Sequence, residues 1–331
     1  MPVFPIPLFG SFVLGFLFLK LVVEGRGRNF IAVLVLQAAV QSLIIALAQH
    51  YGVGWARLLQ PITAAAIPPL AWVAFETSAV RRFSLQRHLP HALVPAFVAF
   101  CVVFARAPLD ALIPAAFVGY GGAILFVSMR GADGLPNARL SAGNLPVWIW
   151  RGIGLSLILS AFGDAMILVA QIMGYGGWQA WIISVSSSGM LLMLGGISLS
   201  TSLWPSEAEE DQAQDQKPTT DPEEDAKIMA RLDVLMTGQK LYLDPDLTLN
   251  QIARRLTLPI KAVSAAVNRT TGENVSRYIN TRRVEVACIA LKNGENVTSA
   301  MLSAGFNTKS NFNREFLRIK QAAPSVWLKQ Q

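Results

Sequence analysis

The chain has 331 residues, 53% apolar and only 15% charged, with a formal net charge of +7; soluble proteins carry roughly 25% charged residues. That balance excludes a single soluble domain, and two cysteines, Cys101 in an apolar run and Cys288 in a basic region, are too few for a disulfide framework. Charge is also unevenly spread: residues 1–204 hold 11 Lys/Arg and 5 Asp/Glu, residues 205–225 hold 1 and 9, and residues 226–331 hold 16 and 7. An apolar part, an acidic connector and a basic head are therefore expected, at 1–204, 205–220 and 221–331.

Seven stretches of the first part approach the ~20 apolar residues that a membrane helix needs: about 5–23, 30–48, 59–79, 91–105, 109–128, 151–173 and 179–203. The N-terminus lacks a basic start and is followed by more apolar stretches, so it does not read as a cleavable signal. Pro61, Pro68 and Pro69 predict a kink in the third helix, with neighbouring helices satisfying the freed carbonyls. With the N-terminus outside, inside loops hold Arg26, Arg28, Arg81, Arg82, Arg87, Arg130 and Arg139, whereas outside loops hold only Arg57 and Arg106. This asymmetry predicts a multi-pass membrane protein with its N-terminus outside and its head in the cytoplasm.

Asp164, in the sixth stretch, is a signal-sensing candidate because a lone carboxylate in hydrocarbon is costly. Glu76 is a second candidate and a partner for it, as are Gln37 and Gln41, although the glutamines and Ser184–Ser188 are read chiefly as helix-to-helix glue. Gly119, Gly121, Gly122, Gly195 and Gly196 predict close helix packing. No lysine lies in the seventh stretch, which excludes a retinal-type Schiff base there, and His50, His88 and His91 have no metal-ligand spacing. No metal, no cofactor and no catalytic residue is expected.

Trp204-Pro205 ends the last apolar stretch, and the acidic run after it reads as a flexible tether that could occupy the basic head. In the head, Pro222-Glu223-Glu224 starts a helix that runs to about Thr237. Thr248 and Gln251 form a capping box for a second helix, with Ile252, Ala253 and Leu256 inward. After a turn at Leu258-Pro259, a third helix at 260–269 turns Val263 and Val267 inward and Lys261, Ser264 and Asn268 outward, which makes a helix-turn-helix. A long helix follows at 275–292 and stops at Asn293-Gly294. A second unit then has Val297, Ala300 and Met301 inward, a turn at Gly305-Phe306, and a helix at about 309–319. There Phe312 and Phe316 belong to the core, and Lys309, Asn311, Asn313 and Arg314 are the outward candidates.

This ordered set resembles the DNA-binding domain of the AraC/XylS family of transcription regulators. The resemblance covers about residues 226–329 and is carried by Ile252-Ala253, Leu256, Val263-Ser264, Gly272, Tyr278, Arg282, Ala287, Ala304-Gly305-Phe306, Ser310, Phe312, Asn313, Arg314, Phe316 and Pro324. It implies that Arg282 is a buried ion-pair partner. Two departures stand out: Gln321 and Ala323 replace the family's usual Gly and Ser/Thr, and Ala265-Ala266 leave the first recognition helix poor in hydrogen-bonding groups.

The expected fold is all-α, a seven-transmembrane-helix bundle followed by a cytoplasmic all-helical domain with two helix-turn-helix units joined by a long helix. The expected function is a membrane-anchored one-component transcription regulator. Lys261, Ser264, Asn268, Lys309, Asn311, Asn313 and Arg314 would contact DNA bases or phosphates. Candidate partners are promoter DNA, the lipid bilayer, RNA polymerase, a second copy of the chain forming a homodimer through the bundle, and an unidentified small-molecule or membrane ligand. The alternatives are a membrane enzyme or transporter with an appended regulatory head, and a bundle that anchors without sensing.

Overall fold

In the computed structural model, residues 5–25, 27, 29–131, 134–140, 145–175 and 222–330 are described. Among them the only regular elements are helices. The chain divides into two compact units, Met1–Met129 with Trp148–Thr201, and Arg130–Val147 with Ser202–Gln331. The short stretch 130–147 thus clusters with the head, although its sequence lies within the apolar part.

In the first unit, α1 (Ile6–Val23), α2 (Phe30–Ile45) and α3 (Gly54–Phe75) are followed by α4 (Leu85–His88), α5 (Leu93–Phe104), α6 (Leu109–Ser128) and α7 (Leu145–Ile172). Wider π-type turns extend α2 to His50 and α3 to Val80, and a 3-10 turn fuses α4 to α5. Six of the resulting segments are long and apolar enough to cross a bilayer: Ile6–Val23, Phe30–His50, Gly54–Val80, Leu85–Phe104, Leu109–Ser128 and Leu145–Ile172. The count among the described residues is therefore six rather than seven; the expected stretch 179–203 and the acidic tether lie outside them. The sixth segment also starts earlier than its hydropathy suggests, because Pro146 sits in the first turn, where a missing N–H costs nothing.

These helices are apolar on every face. Phe9, Phe12 and Phe16 of α1, Phe97, Phe100 and Phe104 of α5, and Phe126 of α6 all point outward. Such continuous apolar surface suits hydrocarbon and not water. Inside the unit, polar groups bridge helices. Gln37 donates to the Thr63 carbonyl at 2.8 Å and Gln41 to that of Gln60 at 3.4 Å, linking α2 to α3; Ser42 donates to the Pro7 carbonyl at 2.6 Å. The glutamines are glue, as expected. Of the predicted close-packing glycines, Gly195 and Gly196 lie outside the described residues; among the other three Gly121 meets a neighbour: a Cβ there would lie 2.7 Å from the Gly154 carbonyl oxygen, and one on Gly154 would lie 2.9 Å from that of Gly121. Gly119 and Gly122 face open space. Arg151 adds a 2.9 Å bond to the Ser128 carbonyl, fixing the near ends of α6 and α7.

In the second unit, α8 (Pro222–Gln239) leads through a 3-10 turn at Leu241–Leu243 into α9 (Leu249–Leu256), α10 (Ile260–Thr271) and the long α11 (Val275–Lys292). Then come α12 (Val297–Ser303), α13 (Lys309–Lys320) and α14 (Pro324–Lys329). Thr248 and Gln251 form the predicted capping box, satisfying two of the N–H groups that a helix start leaves orphaned. Asn274 and Asn296 cap α11 and α12 with one bond each, accepting from the Arg277 and Ser299 N–H groups.

Two cores flank α11. One gathers Leu232 and Met236 of α8 with Leu247, Leu249, Ile252, Leu256, Val263, Val267, Val275 and Ile279. The other sets aliphatic residues of α11 and α12 against Phe306, Phe312, Phe316 and Trp327, which form a chain of edge-to-face contacts at centroid separations of 5.3, 5.4 and 5.6 Å. Each such pair adds about 0.5–1.5 kcal/mol beyond its buried area.

Candidate nucleic-acid interface

Each helix-turn-helix presents its second helix by burying one face and freeing the other. On α10, Val263, Ala266 and Val267 are buried, while Lys261 and Asn268 are exposed and Ser264 is half-buried. The turn before it places Thr257 at φ 54°, a left-handed conformation that a β-branched residue seldom adopts. The far end of α10 is fixed by Arg269, which donates to both carboxylate oxygens of Asp225 on α8 at 2.6 and 2.7 Å. These bonds hold the Asp225 carboxyl below the usual carboxylate range. Arg231 of α8 caps the C-terminal end of α9 at the Leu256 carbonyl.

On α13, Lys309 and Arg314 are exposed and Asn313 is half-buried. Asn311 departs from expectation: it is buried, and its Oδ1 accepts from the Arg314 guanidinium. Its place one residue before Phe312 turns it toward the aromatic core, so it orients Arg314 rather than offering its amide to a groove. Arg318 is likewise committed inward, at 2.9 Å from Glu315, 2.7 Å from Glu273 and 3.2 Å from the Thr281 hydroxyl. The outward set on α13 thus reduces to Lys309, Asn313 and Arg314.

The buried arginine of α11 is Arg283 and not Arg282. Arg282 is half-exposed, pairs with the exposed Asp233 at 2.5 Å and lies 5.6 Å over the Tyr278 ring. Arg283 is fully buried and donates to the Tyr242 and Asp244 carbonyls at 2.5 and 2.6 Å and to Asn280 at 3.3 Å. Burial pushes its guanidinium down to about 10, with Asp244 opposing the shift, so it remains charged at neutral pH. The signal for it was in the register: 283 falls four residues after Ile279 and four before Ala287, on the face that α11 buries. Gly305 closes the same junction. At φ 84° its Cα comes so near the 3-10 turn that an added Cβ would lie 2.6 Å from the Leu243 oxygen. Arg283 and Gly305 therefore hold the connector before α9 against the second unit, fixing the two helix-turn-helix units relative to each other.

The sensing candidates in the first unit separate. Glu76 is buried at 2.9 Å from Arg81, 4.0 Å from Arg87 and 3.2 Å from the buried His88, so its partners are these three side chains and not Asp164. His91 Nδ1 and the Tyr120 hydroxyl are 2.8 Å apart nearby. Asp164 is exposed on α7. Among the described residues no cluster of His, Cys, Asp and Glu could hold a metal ion.

Residues 240–330 match the family model described as a helix-turn-helix domain. No curated protein and no solved structure matches the chain significantly. The match spans α9 to α14, both cores' helix-turn-helix elements and the two outward helix faces. Residues 240–330 are accordingly a DNA-binding helix-turn-helix domain of the AraC type.

Proposed function

We propose that this protein is a membrane-anchored one-component transcription regulator, whose apolar helices hold it in the bacterial cytoplasmic membrane and convey a signal to the DNA-binding head. The observation that carries the reading is the pairing, in one chain, of six bilayer-length apolar helices with an AraC-type domain whose two outward helices sit on a shared long helix. Arginine asymmetry between loops favours an external N-terminus and a cytoplasmic head. The head reads bases in the major groove with Asn313 and Arg314, Lys309 takes phosphates, and Lys261, Ser264 and Asn268 serve the first unit. No catalytic step is assigned to the chain.

The test uses the full chain in lipid nanodiscs with a duplex selected from a random-sequence pool. Asn313→Ala with Arg314→Ala should weaken binding by about 1–3 kcal/mol per lost base contact, and Lys309→Ala should lower the salt slope by about 1. If neither these changes nor Lys261→Ala with Asn268→Ala alters affinity, the assignment of the interface falls. Asp164→Asn and Glu76→Gln should each change promoter output in cells; silence from both would remove the case for sensing. A reporter fused to the C-terminus checks the cytoplasmic side directly.

A further inference from the structure

The stretch that joins α6 to α7 is not an ordinary loop. Leu140 is buried in the aliphatic core of the first helix-turn-helix, among Leu247, Leu249, Ile252, Val275 and Ile279. Its N–H donates to the Leu247 carbonyl at 2.9 Å, and its carbonyl accepts from the Ser276 hydroxyl at 2.8 Å. Arg139 makes an antiparallel bridge with Thr248 and an ion pair with Asp246 at 3.0 Å. The Pro136 carbonyl accepts from the Asn250 N–H at 3.1 Å, and Asn137 Oδ1 from the Asn250 amide at 3.0 Å.

Each bond meets a need of the head. The Asn250 N–H lies in the first turn of α9, where a helix offers no internal acceptor. The Ser276 hydroxyl is buried in the first turn of α11 and has its partner in this loop. Without Leu140 the core would open to water at the N-terminal ends of both helices that frame the recognition helix. Docking leaves the outward face of α10 uncovered, since Lys261 and Asn268 stay exposed. The loop therefore completes the first DNA-reading unit and does not block it.

At both ends the loop runs into helices that are themselves clamped, by the Gly121–Gly154 approach and by the Arg151–Ser128 bond. Four residues lie between Leu140 and Leu145, so the chain between them spans at most about 18 Å. We infer that this loop is the input to the head: its docking keeps the first helix-turn-helix unit DNA-competent, and a change in the α6–α7 hairpin that withdraws Leu140 loosens α9 and α10 and releases that unit from DNA. The second unit, with its own aromatic core, is unaffected by the withdrawal. This inference rests on the DNA-binding reading above.

The test compares wild type, Leu140→Ala, Arg139→Glu and Arg139→Glu with Asp246→Arg, all as full chains in nanodiscs. Hydrogen exchange reads docking independently of DNA, and footprinting on the pool-selected duplex reads its consequence. Leu140→Ala should speed exchange at 247–279, leave 309–320 unchanged, and weaken binding roughly tenfold with protection lost under the first unit. Arg139→Glu should do the same to a lesser degree, and Asp246→Arg should restore it. Unchanged exchange in Leu140→Ala overturns the docking. Faster exchange with unchanged affinity, or equal loss of both units, overturns the input role. A wild-type chain that selects no duplex overturns the regulator reading instead, while exchange still decides whether the loop docks.

Discussion

The two helix-turn-helix units have the same helix order but are stabilised by different parts of the chain. The second is built locally: Phe306 of the turn, Phe312 and Phe316 of α13 and Trp327 of α14 lie within 22 residues and pack on α11 and α12. The first borrows. Its core needs Leu232 and Met236 from α8 and Leu140 from a loop more than a hundred residues upstream, and its recognition helix is fixed by Asp225 through Arg269. A unit closed by its own neighbours is a stable platform. One closed by remote segments can be opened by them.

The sharpest way to break the comparison is Gly305→Ala. A methyl group 2.6 Å from the Leu243 oxygen has no room, because the clash is with backbone and the φ is left-handed. The change should cost more than about 5 kcal/mol and disrupt both units at once; its signature is lost exchange protection at 241–243 as well as at 297–320. Phe312→Ala should cost about 3–5 kcal/mol and stay within the second unit, leaving protection at 249–271 intact. Spread into the first unit would show that the two cores are one.

A smaller effect of opposite sign is expected at Gln321. It ends α13 at φ 54°, where the AraC/XylS resemblance places glycine, and its side chain compensates by donating to the Arg318 carbonyl at 2.9 Å. Gln321→Gly should therefore stabilise the second unit by about 1 kcal/mol, seen as a higher urea midpoint for the exchange of α13.

The least effect comes from acid. Because Arg269 lowers the Asp225 pKa, the ion pair contributes stability at pH values above the unfolded value of about 3.9, and loses it as pH falls through the folded value. Melting followed from pH 7 down to about 3 should thus show the first unit weakening below about pH 4, and Asp225→Asn should shrink that dependence. An unchanged acid profile in Asp225→Asn would mean that other carboxylates carry it.

Hydropathy and spacing were enough for the all-α class, for the bilayer-length helices, for the span of α11 and for the capping box at Thr248, because each is a local property of consecutive residues. The same holds for the phenylalanines of α13, whose spacing of four alone places both on one face. Burial of Asn311 and Arg283 was less legible, since polar residues at inward positions look like surface residues until their partners are known. The Asp225–Arg269 and Glu76–His88 pairs are separated by 44 and 12 residues in sequence, and no local pattern links them.

What the sequence determined by itself is the inventory: apolar helices, an acidic run, and two helix-turn-helix units of the AraC type, whose helices are set by periodicity and by caps within a few residues. What only the tertiary structure decided is the wiring. Leu140 reads in sequence as one apolar residue in a loop between two long apolar helices. Its burial against Leu247 and Ile279, and the bond of its carbonyl to Ser276, depend on segments brought together from more than a hundred residues apart, and long-range packing of that kind leaves no periodic trace.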